Sequence, residues 1–329
     1  MNANVLRYLR DLNASADDLA LANKKYTGRV LGAFPTATFL RQFIWNVTVT
    51  AGKSFQFPAT WKMTSEPHTP GTELPGNEEP ISEDRVVTAN TKEDVAHNWT
   101  TPVDKFIGDF DTRRNTAVQA VRSIGRTLES RLIRCVILGA QQSARGDNDE
   151  FPAGNRLTSP RSTDAATAYP VSLAGSLALQ ADFGEIAQKM DEKDVPREGR
   201  VAIITPYLER VLRYDNSLLS VDYQSGANDK LTRKITVVEG FHCFPSNLYP
   251  TADLSGAAAE PYAAYRVNCE KSVCCFIGDK SAVGNVEFGG IEAIPMDWHS
   301  DKRAWLVGAA YLHGARWLRP EACGEIHVV

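Results

Sequence analysis

The chain of 329 residues is 43% apolar and 23% charged, with a formal net charge of −4, a composition that excludes wholesale disorder. Its length allows two compact domains or one elaborated by extensions, and its near-neutral balance marks neither a nucleic-acid binder nor a membrane binder. Met1–Leu12 interrupts its apolar residues with Arg7, Arg10 and Asp11, and no apolar run approaches the ~20 residues of a bilayer helix. With six cysteines in so long a chain, the expectation is a protein made and folded in a reducing cytoplasm.

The N-terminal stretch places Val5, Leu6, Leu9, Leu12, Leu19, Leu21 and Tyr26 among polar residues. It can form short helices, but its apolar surface is too small to fold alone, so it reads as an arm that packs on something else. From Phe39 to Trp61 the pattern is strand-like: Ile44, Trp45, Val47 and Val49 lead to Ala51-Gly52, after which Phe55 and Phe57 alternate with Ser54 and Gln56. Pro67 to Pro80 then holds four prolines and two glycines, the composition of a long extended loop. Between Glu66 and Asp104 nine acids stand against Arg85 and Lys92.

Thr112 to Gln141 predicts one helix, with Val118, Val121, Ile124, Leu128, Leu132, Cys135 and Val136 at three- and four-residue spacing. Thirty residues would span ~45 Å, more than a small core demands. Arg113, Arg114, Arg122, Arg126, Arg131, Arg134 and Arg145 face a single acid, Glu129, over this stretch and its extension to Arg145. Residues 145–170 read as a polar loop. Beyond it, Leu173–Met190 is helical by spacing and Val201–Ile204 is a buried strand. Thr205-Pro206 caps a further helix, and Glu239-Gly240 turns a hairpin. The remainder reads as β-structure over Val273–Ile277, Val286–Phe288, Ile291–Ile294 and Ala304–Trp317.

Signatures of catalysis are missing. Gly52-Lys53-Ser54 ends like a phosphate-binding loop, but the position five residues earlier is Val47 rather than glycine. The six histidines are scattered, and Cys269, Cys274 and Cys275 lack the spacing of zinc ligands, so Cys274-Cys275 read as small buried side chains. No Gly-x-Ser-x-Gly elbow occurs. No catalytic, cofactor-binding or metal residue is therefore assigned. The arm, acidic loop and overlong basic helix together suit a chain whose copies hold one another.

Lys280-Ser-Ala-Val-Gly284 with Val286, then Tyr311-Leu-His-Gly-Ala-Arg-Trp-Leu-Arg-Pro-Glu-Ala-Cys-Gly324, resembles the C-terminal region of podovirus major capsid proteins of the T-seven type. Gly52–Pro58, Val195–Arg200 running into Thr205-Pro206, and Glu239-Gly-Phe241 running into Pro245 fall in the same order as in that family. The resemblance runs from about residue 25 to the C-terminus. It implies an α+β chain of the HK97-like capsid fold, with a long spine helix at 112–141. The implied parts are an N-terminal arm (1–45), an extended loop (46–95), a peripheral domain (96–172 with 266–329) and an axial domain (173–265).

The implied function is self-assembly, as pentamers and hexamers, into an icosahedral head that encloses and protects packaged double-stranded DNA, not enzymatic catalysis. The implied partners are a scaffolding protein and a portal during assembly, a decoration protein, and the DNA held non-specifically, with no membrane involved. The setting is the virion, assembled in the host cytoplasm. Lys53, Phe55, Phe57, Trp61, Glu78 and Glu79 are the expected intersubunit contacts, and Arg122, Arg126 and Arg134 the expected DNA-facing residues. An encapsulin-like nanocompartment shares the implied fold, and a soluble enzyme using Cys274 or His242 is a rival from another class.

Overall fold

The computed structural model describes residues 16–58, 67–73, 85–101, 112–145, 151–159, 168–215, 218 and 235–328. Two helices form one layer. Helix α1 (Ala16–Ala37) buries Tyr26, Val30 and Phe34, which recur every four residues, and leaves Leu21 and Leu31 about half exposed. Helix α2 (Thr112–Ala140) is the expected spine. Its first turns bury one stripe, Ala117, Val121 and Ile124, whereas residues 131–137 are all buried. The two helices touch at Gly125, where an added Cβ would lie 2.9 Å from the Ala37 carbonyl oxygen. Glycine costs helix stability, and here it permits the close approach.

Beneath this layer lies a four-stranded sheet in the order β1–β10–β11–β4. It comprises β1 (Trp45–Val49), β4 (Asp94–Thr100), β10 (Val283–His299) and β11 (Ala304–Trp317). The β1–β10 pair is parallel and the other two are antiparallel. Tyr26 Oη donates to the Gly308 carbonyl at 2.9 Å, and Phe34 packs on Tyr311 with ring centroids 5.1 Å apart. The arm helix is thereby fixed to β11. The two strands expected at 286–288 and 291–294 are one strand of 17 residues. Gly289 and Gly290, at φ +78° and +74°, take up a register shift between Glu287 and Ile291. Two left-handed residues there make a bulge, not a turn.

The second sheet has the order β5–β12–β9–β6–β8–β7. It takes β6 (Val201–Ile204), β7 (Val237–Val238) and β8 (Phe241–Pro245) from the middle of the chain. The rest come from either side: β5 (Asn155–Ser159), β9 (Ser272–Ile277) and β12 (Cys323–Val328). The division expected at residue 265 therefore does not coincide with a sheet boundary, because β6 pairs with β9 across it. Helix α3 (Leu173–Glu192) packs on α4 (Pro206–Leu212) and against β5 and β12. Thr205 Oγ1 accepts from the Leu208 N–H, with Pro206 in the first turn, as the sequence predicts. Phe183, Phe241 and Phe276, all fully buried, pack with centroids 4.9–6.3 Å apart. Within 145–170, read as loop, β5 pairs in parallel with β12.

The third β element is the hairpin β2 (Ser54–Phe57) with β3 (Arg85–Thr88). It packs through Phe57 and Val87 on Val286 and Leu318, forming a small core separate from the main one.

Candidate assembly surfaces

Arginines on the enclosed half of α2 must be compensated, because a guanidinium removed from water without a partner is very costly. Arg131 and Arg134 are 5% and 4% exposed. Arg134 Nη1 donates to Glu260 Oε2 at 2.6 Å and to the Tyr265 carbonyl at 3.4 Å. Arg131 pairs with Asp94 on β4, has its Nε 3.8 Å from Glu260, and stacks its guanidinium on Tyr262 at 4.9 Å and Tyr265 at 5.4 Å. The cluster joins the spine helix to β4 and to the segment at 260–265.

His313 on β11 completes this cluster. Its ring is fully buried between Tyr265 and Tyr311, near-parallel to both, at centroid distances of 6.2 and 5.2 Å. Neither ring nitrogen has a hydrogen-bond partner among the described residues, although Nδ1 lies 3.4 Å from Asp94 Oδ2. Burial, then the neighbouring Arg131 charge, holds the imidazole neutral, with its pKa pushed down to about 3.

The same cluster anchors the base of the acidic segment. Asn90 N–H donates to the His313 carbonyl at 3.0 Å, Tyr262 Oη to the Lys92 carbonyl at 3.0 Å, and Tyr265 Oη to Asn90 Oδ1 at 3.1 Å. One step earlier, Ala89 N–H donates to the Lys53 carbonyl at 2.9 Å. Arg85, Arg145 and Arg316 then surround the Trp317 ring at 4.4, 4.7 and 5.6 Å. The arm is fastened on the other side of α2. Buried Glu129 accepts from the Phe39 N–H, and from the Leu40 N–H at 3.2 Å, where the chain leaves α1 for β1. Burial raises the Glu129 pKa, against the lowering effect of those two hydrogen bonds. Arg41 reaches Glu287 on β10 at 2.5 Å.

The residues singled out from sequence fall into distinct environments. Lys53 is exposed and Phe55 half-buried at the hairpin, whereas Phe57 is 2% exposed and committed to the small core of its own chain. Trp61, Glu78 and Glu79 lie outside the described residues. Arg122 and Arg126 are exposed on α2. Arg134 departs from expectation: it is buried and paired with Glu260, so it has no guanidinium to offer DNA.

Two grooves border the helical layer. One, of about 670 Å³, runs between β4 and the outer face of α2 and carries no charged residue in its lining. The other, of about 650 Å³, lies between α1 and α2 and is lined by Ala33, Ala37, Val118, Arg122, Arg126, Asn247 and Leu248. Sequence reasoning found its arginines from the charge run but not the groove, which exists only once α1 lies beside α2.

The cysteine rival loses its nucleophile in this arrangement. All six cysteines are buried and free. Burial raises Cys274 well above the ordinary thiol value and pushes Cys135, Cys243 and Cys269 up to about 12, the reverse of what a reactive thiolate needs. Among the described residues no helix is long and apolar enough to cross a membrane.

Residues 56–327 match the family described as Gp10A-like, major capsid protein. Among solved structures, the capsid of the cyanophage P-SCSP1u is 22% identical, with a TM-score of 0.77 over 89% of this chain and 88% of that one. The mature capsid of bacteriophage PhiM1 is 17% identical, with a TM-score of 0.71 over 89% and 87%. A virus-like particle from Pyrococcus furiosus is more distant, 11% identical with a TM-score of 0.53 over 93% and 99%. These likenesses establish an HK97-like capsid fold. No curated protein matches the sequence.

Proposed function

The chain belongs to the Gp10A-like major capsid protein family, and on that premise we propose how its parts divide the work of building the shell. It is a bacteriophage capsid protein, a structural protein that assembles into an icosahedral shell of many copies. Closed shells of one chain need heterologous contacts repeated around rotation axes. In the proposed division the part of the arm (1–45) that precedes α1 and the part of the extended loop (46–95) beyond the β2–β3 hairpin reach neighbouring subunits, while α1, α2 and the two sheets supply a rigid body. Many modest contacts of this kind add through multivalency.

The observation that carries this reading is the anchoring of both extensions at their bases. The loop is held by Arg131 with Asp94 and by Tyr265 with Asn90, and the arm by Glu129. A base fixed to a buried helix aims whatever projects from it. Between Phe57 and Arg85 lie 27 residues; two arms of about 13 span up to ~45 Å if extended, enough to leave the parent subunit. Their acids, with Glu78 and Glu79 among them, set register against basic surface on a neighbour more than they add affinity.

The family role is structural, and no step of catalysis is proposed. The proposed partners are a scaffolding protein and a portal during assembly in the host cytoplasm, a decoration protein, and packaged double-stranded DNA. Arg122 and Arg126 are the proposed DNA contacts, non-specific and salt-dependent. Their number is small, as suits DNA that must move during packaging and ejection.

Charge reversal, Glu78→Lys with Glu79→Lys, tests the loop. The expected result is a folded chain, by circular dichroism, that yields far fewer particles on electron microscopy. Normal shell yield from that variant would show that these acids do not guide assembly.

A further inference from the structure

We propose that the groove between α1 and α2 docks an acidic amphipathic helix of a separate assembly partner, the chemistry of a scaffolding segment, on the face later presented to DNA. This rests on the reading above that Arg122 and Arg126 face packaged DNA, which puts this side of α2, and α1 beside it, on the interior of the shell. The groove has two properties that phosphate binding alone does not require. Its floor is apolar and small, made by Ala33, Ala37, Val118 and Leu248, and its rim is cationic, with Arg122 and Arg126 one helical turn apart. Val118 is apolar and only partly buried, in a helix whose other apolar side chains are mostly buried.

A DNA duplex meets a protein through phosphates at its surface and makes no use of an apolar floor. An amphipathic helix uses both features. Side chains at i, i+3 or i+4 and i+7 enter the floor, and carboxylates one turn apart meet the two guanidiniums in charge-assisted, bidentate hydrogen bonds. Among the described residues no acid lines the groove, and Lys24 and Lys25 lie exposed on α1. Two segments of this chain are poorer occupants. Residues 1–15 carry Arg7 and Arg10 against Asp11, the wrong sign, and the acidic loop carries Pro67, Pro70, Pro75 and Pro80, which break the helical spacing of its carboxylates.

The test is fluorescence anisotropy of a labelled peptide of about 20 residues, long enough to be helical, with leucines on one face and glutamates flanking them, titrated with the purified full chain. Saturable binding is expected. It should weaken roughly tenfold or more, over 1.4 kcal/mol, with Arg122→Glu plus Arg126→Glu, and comparably with Val118→Gln or, on another element, Leu248→Gln. The same peptide with lysine for glutamate should bind at least as weakly, and a short DNA duplex should be indifferent to the two floor variants. If floor substitutions leave peptide affinity unchanged while arginine reversal abolishes peptide and duplex binding alike, the surface is phosphate-directed and the proposal is overturned. If the wild-type chain forms shells but does not bind the peptide, the groove proposal falls and the capsid reading stands. If it forms no shells either, both fall.

Discussion

The two halves of α2 carry the same residue type to opposite ends. Arg122 and Arg126 stand exposed on a helix buried along one stripe, whereas Arg131 and Arg134, one to two turns further on, lie inside a stretch buried on every side. The charge run that reads as a single basic face is thus two devices. The first pair offers charge to a partner. The second has given its charge to Asp94 and Glu260 and holds three elements together. What separates them is packing, because a guanidinium closed off from water needs its counterion within the fold.

That contrast is sharpest on removal of a counterion. Glu260→Ala leaves Arg134 buried without its carboxylate and is expected to cost about 3–5 kcal/mol in denaturant unfolding, while Arg122→Ala stays within about 0.5 kcal/mol. Equal effects would erase the distinction between the halves. The hairpin offers a second committed-versus-offered pair. Phe57→Ala is expected to cost about 3 kcal/mol or more as a cavity in the small core, and Lys53→Ala almost nothing in stability, so particle yield is the readout for Lys53.

The enclosed cluster also predicts a pH dependence. His313 has a folded pKa of about 3 against 6.5 in the unfolded chain. Below pH 6.5 the unfolded state therefore binds a proton that the native state refuses, and stability falls as pH drops towards 3. The loss by pH 5 is about 2 kcal/mol. His313→Gln should flatten that part of the stability–pH curve whatever it does to stability at pH 7; an unchanged slope would show that His313 is not the titrating group. The smallest expected effect is at the exposed pair: Arg122→Ala with Arg126→Ala should lower the slope of DNA affinity against salt by about two, roughly one per phosphate contact, in a salt titration.

Much of the fold was legible because its signals are local. The α2 periodicity, the unbroken Val201–Ile204 run and the Thr205-Pro206 cap each state their structure within a few residues, and each element formed where expected. The strands β5 and β12 were not legible. Asn155–Ser159 alternates too briefly to read as a strand, and Cys323–Val328 contains Glu325 and His327. Glu325 is tolerated in a buried strand because Gln141 Nε2, at 3.0 Å, Arg156, at 3.4 Å, and the Ser272 side chain meet its carboxylate from elsewhere in the chain. The same non-locality hid the fate of Arg134, whose partner lies 126 positions away. The candidate groove was illegible for the same reason: its walls are two helices brought together at Gly125.

The proposed shell is closed and carries α1 and α2 on its inner side. Electron cryomicroscopy of particles from the overexpressed chain, alone and with the proposed scaffolding partner, tests it directly. The account predicts icosahedral shells with Arg122 and Arg126 on the interior surface and the Arg131–Asp94–Glu260–Arg134 cluster intact within each subunit. A monodisperse soluble monomer, or shells with the α1–α2 layer facing outward, would contradict it.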